Sequence, residues 1–179
     1  VSMMTPVPTR VYAGEAGEMK NRGIIRAVKY SWSRNFLLLR LYSVDEAGNE
    51  TVVATSSPVT KVAAAGVCRL FQDGAPLRLD IDALTRVLRT PGKTAWAGFT
   101  AFEPARAALK ACLQHDEQGA KAALVIITLS LDSNVVNDVS SVLDVVYPHF
   151  PPSCEIAFVT AYDESQENGV RVEILLMNV

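Results

Sequence analysis

Hydrophobic and polar positions along this chain change period several times, and each change marks an element. Residues 24–32 (IIRAVKYSW) and 36–43 (FLLLRLYS) are rich in branched and aromatic side chains. Val28, Tyr30 and Trp32 share one face at period two, the spacing of a strand. Ser33–Asn35 reads as the turn between these runs, Asp45–Asn49 (DEAGN) as a second turn, and Thr51–Thr55 as a short third strand. The stretch 24–56 is therefore expected to be a small antiparallel β meander. Before it, residues 1–23 carry Pro6, Pro8, Gly14, Gly17 and Gly23, a composition that predicts an irregular lead-in.

The period then becomes helical. Ser57 and Pro58 supply a cap and a first-turn proline, and Val59, Val62, Ala63, Val67, Leu70 and Phe71 recur at helical spacing up to Gly74 and Pro76. A second helix is expected over 80–88 (DIDALTRVL), closed by Pro91–Gly92. From there strands and helices alternate: strand 94–101, helix 104–114 with Pro104 at its start, strand 122–129, helix 134–146, strand 154–162 and strand 170–178. The polar link Asp163–Gly169 (DESQENG) predicts that the last two strands form a hairpin. The fold class is α+β: a mixed β-sheet with helices packed on it, residues 57–179, preceded by the meander, which is too small to stand alone and should pack on the main unit.

Composition narrows the function classes. The chain has 179 residues and is 49% hydrophobic, enough for one ordinary core, with a net charge of −2. No basic excess exists to steer it onto nucleic acid or an anionic membrane. The longest apolar run, Ala122–Leu131, has the length of a buried strand rather than of a membrane span. Cys68, Cys112 and Cys154 are an odd, widely spaced set without a CxxC pair, and His115 and His149 are the only histidines. This predicts a reducing, cytoplasmic setting, no disulfide framework and no metal site. No signal-peptide pattern opens the chain, and the first residue is Val1 rather than Met, which leaves room for sequence upstream.

Several groups invite a chemical reading. Glu103, Glu155, Glu173 and the turn Asp163/Glu164/Glu167 contain carboxylates of the kind that serve acid–base pairs, but they are expected to be solvated surface. His149, between Tyr147 and Pro151, is expected in a connection, with no second ligand at metal spacing. Tyr30, Trp32, Phe36 and Tyr42 are of a type that stacks on bases, yet few cations accompany them, and a small core under the meander is the expectation.

The ordered set of features after residue 58 resembles the C-terminal domain of the FtsZ/tubulin family. A strand ending in Ile127-Thr128 is followed by Asp132, a helix over Val135–Val145, Pro151-Pro152, the strand CEIAFVTAYD (154–163) and Val170-Arg171-Val172 after a polar turn. LDIDALTRVL (79–88) resembles the loop and helix that follow the family's long central helix, of which 58–73 would be the end. The resemblance implies a polymer-forming or capping domain in a prokaryotic cytoskeletal or cell-division system. Its partner would be an FtsZ/tubulin-type protein or a second copy, with no nucleic acid and no direct membrane binding. A small-molecule-binding protein or enzyme on a similar α/β sandwich, acting as a homo-oligomer, is the alternative.

Departures from the family pattern shape the expected chemistry. The family's GTP-binding domain and its GGGTGSG-like loop have no counterpart, and nowhere are two glycines consecutive. Phosphates need backbone N–H groups brought close by residues without side chains. No cofactor is therefore expected, GTP entering only from a partner or an upstream domain. The family's catalytic loop reads Asn-x-Asp-x-x-Asp; alignment puts Arg78 at the Asn, Asp80 at the first Asp and Ala83 at the second, with Asp82 displaced by one. A one-residue shift at a helix start turns a side chain by about 100°. Asp80 and Asp82 are thus degenerate catalytic-loop candidates, and equally they are helix N-terminal acids that complement the dipole. Arg78, Asp80 and Asp82 together form the candidate partner- or nucleotide-facing loop; at most the chain would contribute in trans to GTP hydrolysis by a partner. The family's Gly-Gly turn is Leu129-Ser130 here, with Leu129 and Leu131 expected as core or contact surface, and its terminal Gly is Asn178, a residue that tolerates left-handed geometry. The tail peptide that reaches membrane-anchoring partners has no counterpart before Val179, so that tethering is not carried over.

The missing phosphate loop yields the first test. Calorimetry of the isolated chain with GTP and magnesium should show no saturable binding in the micromolar range; a one-to-one isotherm there would overturn the expectation.

Overall fold

A computed structural model describes residues 9–11, 24–27, 32–33, 36–45, 47–70, 76–78, 80–115, 119–166 and 168–179. In the first part, strands β1 (Thr9–Val11), β2 (Ile24–Ala27), β5 (Arg40–Val44) and β6 (Glu50–Thr55) form an antiparallel sheet in the order β1-β2-β5-β6. A two-stranded ribbon, β3 (Trp32–Ser33) with β4 (Phe36–Leu37), sits between β2 and β5 in the sequence. The antiparallel meander is present: β2 and β3 fall in the first expected strand, whose residues 28–31 lie outside the described residues, the second is divided at 38–39 into β4 and β5, and β1 adds a strand inside the expected irregular lead-in.

The helix expected from Pro58 begins at Lys61 instead and runs to Arg69 as α1. Ser57 and Pro58 are engaged elsewhere. The Ser57 hydroxyl accepts from the Gly92 N–H at 3.0 Å, and the Pro58 carbonyl accepts from the Thr94 hydroxyl at 2.7 Å. Thr60 takes over as cap, its hydroxyl accepting from the Ala63 N–H at 3.2 Å. With β6 ending at Thr55 just before it, α1 is a short helix of nine residues.

Downstream come β7 (Pro76–Arg78), α2 (Ile81–Arg89), β8 (Thr94–Ala101), α3 (Pro104–Cys112), β9 (Ala122–Leu129), α4 (Val135–His149), β10 (Glu155–Tyr162) and β11 (Val170–Met177). These strands form one mixed sheet in the order β7-β10-β9-β11-β8. β9 pairs with β10 in parallel and with β11 antiparallel, and all eight of its residues are buried. The expected hairpin of the last two strands is not formed, because β9 lies between them. β11 reads VRVEILLM and is buried almost throughout, which suits an interior strand with neighbours on both sides; the place beside β10 is taken by β7. The link 163–169 instead crosses the end of β9, with the Asp163 N–H on the Leu129 carbonyl at 3.1 Å and the Gln166 amide on the carbonyls of Thr128 (3.3 Å) and Gly169 (2.8 Å). Gly169 completes the crossing at φ 84°, and a Cβ there would meet the backbone of Ala101 and Phe102.

Two cores flank the sheet. On one face α3 and α4 cover Val125, Ile127, Val172 and Ile174. On the other, α1 and α2 cover Leu124, Ile126, Val159 and Leu175, and Leu41 and Ala54 of the small sheet, with Leu39 just before β5, belong to the same continuous cluster. α1 approaches closely through Gly66, which rests on the indole of Trp96 from β8; a Cβ at Gly66 would overlap that ring. Of the two leucines at the expected Gly-Gly turn, Leu129 is core, whereas Leu131 is 65% exposed. Asn178 has φ 58°, the only positive φ at a non-glycine among the described residues, so the left-handed geometry expected of that position is retained.

Gly66→Ala should destabilise the fold by about 1–3 kcal/mol through overpacking. The outer ring of Trp96 is what the new methyl meets, so adding Trp96→Phe should restore part of the loss. Additive effects of the two substitutions in chemical denaturation would show that α1 does not dock in this way.

Candidate functional site

The segment from Pro76 to Asp82 is built by three local rules. Pro76–Arg78 adds β7 to the edge of β10, with Arg78 in register with Thr160. Arg78 is therefore the last residue of a strand, not part of a free loop as its alignment to the family's catalytic loop implied. Asp80 then takes extended geometry (φ −88°, ψ 103°) and caps α2, its Oδ1 accepting from the Ala83 N–H at 3.0 Å. The helix continues because Leu84, Val87 and Leu88 fall on one side and are buried against the sheet. Asp82 lies in the first turn and is exposed. Both acids thus occupy positions that favour the helix dipole.

Further along α2, the Arg86 Nε donates to Glu155 Oε1 at 2.5 Å, tying the helix to the start of β10. That hydrogen bond, against an opposing effect of desolvation and with the negative charges of Glu155, Asp80 and Asp82, holds the Arg86 guanidinium above its ordinary pKa. Arg89 donates to the Val53 carbonyl of β6, which links α2 to the small sheet. The candidate loop therefore leads into a helix fixed at its start by Asp80 and along its length by Arg86 and Arg89. What this arrangement offers chemically is an exposed Asp80–Asp82 pair at a helix start, next to a strand-bound residue 78. The carboxylate of Asp80 is already committed to a backbone donor.

The carboxylates expected as solvated surface divide. Glu103, Glu155 and Glu164 are exposed, and Glu167 lies outside the described residues. Glu173 is a correction: it is only 7% exposed, and its Oε1 meets Arg69 Nη2 of α1 at 2.5 Å. Its Oε2 and the Nε of Arg171 are 3.7 Å apart, both buried without a hydrogen-bond partner. Arg171 reaches on to Asp163 Oδ2 at 3.4 Å. Asp163 is held below the usual carboxylate range, first by the Ser165 hydroxyl, then by the Ser165 N–H and Arg171, with desolvation opposing. Sequence reading missed this chain of charges. Period two in VRVEILLM puts Glu173 on the face of Leu175 and Met177, but its partner lies 104 residues away and no pattern points to it. His149 is the last residue of α4 and not part of a connection. Among the described residues no group of three His, Cys, Asp or Glu side chains is placed to hold a metal ion, and no helix is long and apolar enough to cross a membrane.

No family model matches the sequence, and no curated protein sequence matches it either. Solved structures do match. An empty FtsZ dimer from M. jannaschii superposes with a TM-score of 0.56 at 22% identity over 64% of this chain and 35% of that one. A point-mutant structure of FtsZ from M. jannaschii gives 0.55 and 21% over 65% and 37%. A GTPγS-form protofilament of TubZ from Bacillus thuringiensis serovar israelensis gives 0.49 and 9% over 65% and 33%. The fold is FtsZ/tubulin-like. The chain spans a little over a third of the length of the FtsZ chains it matches (35% and 37%).

Asp80→Ala removes the cap of α2 and should lower stability by about 1 kcal/mol, whereas Asp82→Ala should cost no more than about 0.5 kcal/mol. Equal losses in thermal or denaturant melts would mean that the cap does not hold the helix start.

Proposed function

We propose that this chain is a non-catalytic assembly domain of FtsZ/tubulin type, acting in the cytoplasm in a prokaryotic cytoskeletal or cell-division system. It would make polymer or capping contacts with an FtsZ/tubulin-type partner or with further copies of itself. The observation that carries this reading is the superposition of about two-thirds of the chain on FtsZ. The absence of any phosphate-cradling glycine loop in the sequence supports a role without nucleotide chemistry of its own. GTP enters this reading only as a ligand held by a partner or by an upstream domain.

The proposed contact is the segment Arg78–Asp80–Asp82. A cation at position 78 suits binding beside phosphates that another subunit holds, through charge-assisted hydrogen bonds. Support for hydrolysis is weaker, because the Asp80 carboxylate is occupied by the Ala83 N–H and Asp82 is set one residue off the family spacing. At most the domain would help position water at a partner's nucleotide.

Co-sedimentation with a GTP-loaded FtsZ-type protein at low salt tests the reading. Arg78→Glu should weaken association by about ten-fold, the loss of one charge-assisted contact and its replacement by repulsion. Asp82→Ala should change it little. Equal binding by the native chain and Arg78→Glu would remove this segment from the interface.

A further inference from the structure

Among the described residues β8 is the last strand on the outer side of the main sheet, and side chains meet its edge there. At its centre the Gln114 carboxamide oxygen accepts from the Gly98 N–H at 3.1 Å, and its NH2 group donates to the Gly98 carbonyl at 2.7 Å. Beside it, Nε2 of His115 lies 2.7 Å from the Trp96 carbonyl oxygen and must be the donor, since a carbonyl only accepts. Alternation along an antiparallel ladder then makes Thr94, Trp96, Gly98 and Thr100 the residues whose backbone groups point away from β11. Gln114 and His115 are themselves exposed and follow directly on α3, where the Leu113 N–H bonds to the Leu109 carbonyl at 3.0 Å.

A carboxamide that donates to and accepts from one residue does what the opposite residue does in a hydrogen-bonded antiparallel pair. Gln114 thus stands where a further strand would stand. The strand it covers, TAWAGFTA, has none of the charges or prolines that usually guard an exposed edge. We propose that Gln114 and His115 form an intramolecular plug over a strand-pairing edge, and that the occupant they exclude is β8 of a second copy of this chain.

Self-pairing follows from the pattern of the edge. A two-fold axis at Gly98 sets Gly98 against its own copy with both N–H···O=C bonds made, and sets Trp96 against Thr100 on either side. Because β8 carries no charge, no like charges face one another across such a pair. At the other end of the edge the Thr94 hydroxyl is bonded to the Pro58 carbonyl, so pairing is confined to Trp96–Thr100. A contact that short is weak, and an exposed glutamine and histidine suffice to compete with it. The inference rests on the edge itself and is independent of the assembly reading based on Arg78.

The test compares the native chain with Gln114→Ala/His115→Ala by sedimentation velocity over a concentration series. The double variant should gain a self-association step at least about ten-fold tighter than any shown by the native chain. Adding Gly98→Pro should abolish that step, since proline is tolerated at an edge position whose N–H faces outward and removes the central donor. A folded double variant that sediments like the native chain, or a new step that persists with Gly98→Pro, overturns the proposal. Amide exchange of the native chain gives an answer without any variant. The Gly98 amide should exchange well over ten-fold more slowly than that of Thr100, and equal rates would show that no plug is in place.

Discussion

The structure depends on the complete burial of one strand. β9 is shielded on both faces and hydrogen-bonded along both edges, so every side chain from Ala122 to Leu129 is removed from water. At about 1.5–3 kcal/mol for each large aliphatic side chain, the burial of Leu124, Val125, Ile126, Ile127 and Leu129 contributes strongly to the stability of the sheet. That burial requires a neighbour on each side. It is the reason the chain, after completing β10, crosses over the end of β9 and inserts β11 beyond it. The crossing is held by polar bonds from Asp163 and Gln166 to the last carbonyls of β9, backbone groups that would otherwise be left without partners at the strand's end.

The two faces of the sheet are covered by different kinds of contact. α3 and α4 pack on one face in an almost wholly apolar layer, with Ala107, Ala108 and Ala111 allowing close approach. The opposite face is shared by α1, α2 and the small sheet, and there polar ties accompany the apolar ones: Arg69 to Glu173, Arg86 to Glu155, and Arg89 to the Val53 carbonyl. Arg86–Glu155 is exposed and contributes little beyond orientation. Arg69–Glu173 differs, because a nearly buried carboxylate without its cation would be strongly destabilising, so the pair fixes where α1 can sit. Asp80 and Asp82, two of the residues proposed to meet a partner, thus stand at the start of a helix anchored by charge as well as by packing.

Much of this architecture was legible in the sequence. Strands 94–101 and 122–129 stand where period and composition place them, because a long apolar run bounded by polar turns has few other solutions in a domain of this size. Pro104 marks the start of α3, and Asp80, one residue before an apolar period, marks the cap of α2. Asn178 in place of a glycine kept its left-handed backbone, a local property that a single residue decides. The reading of Asp80 and Asp82 as helix N-terminal acids was equally local, and it describes where both residues lie.

What the sequence determined by itself is the identity of the elements, since hydrophobic period, caps and breakers act within a few residues of one another. The tertiary structure alone decided their adjacency. The strand order, with β9 between β10 and β11, depends on pairings between strands that are not neighbours in the chain. The late start of α1 depends on Ser57 and Pro58 bonding to Gly92 and Thr94, more than thirty residues away. The burial of Glu173 depends on Arg69, and the covering of β8 depends on two side chains beyond the next helix. Each of these is a contact between residues distant in the chain, and a hydrophobic pattern records that a side chain must be covered without recording what will cover it.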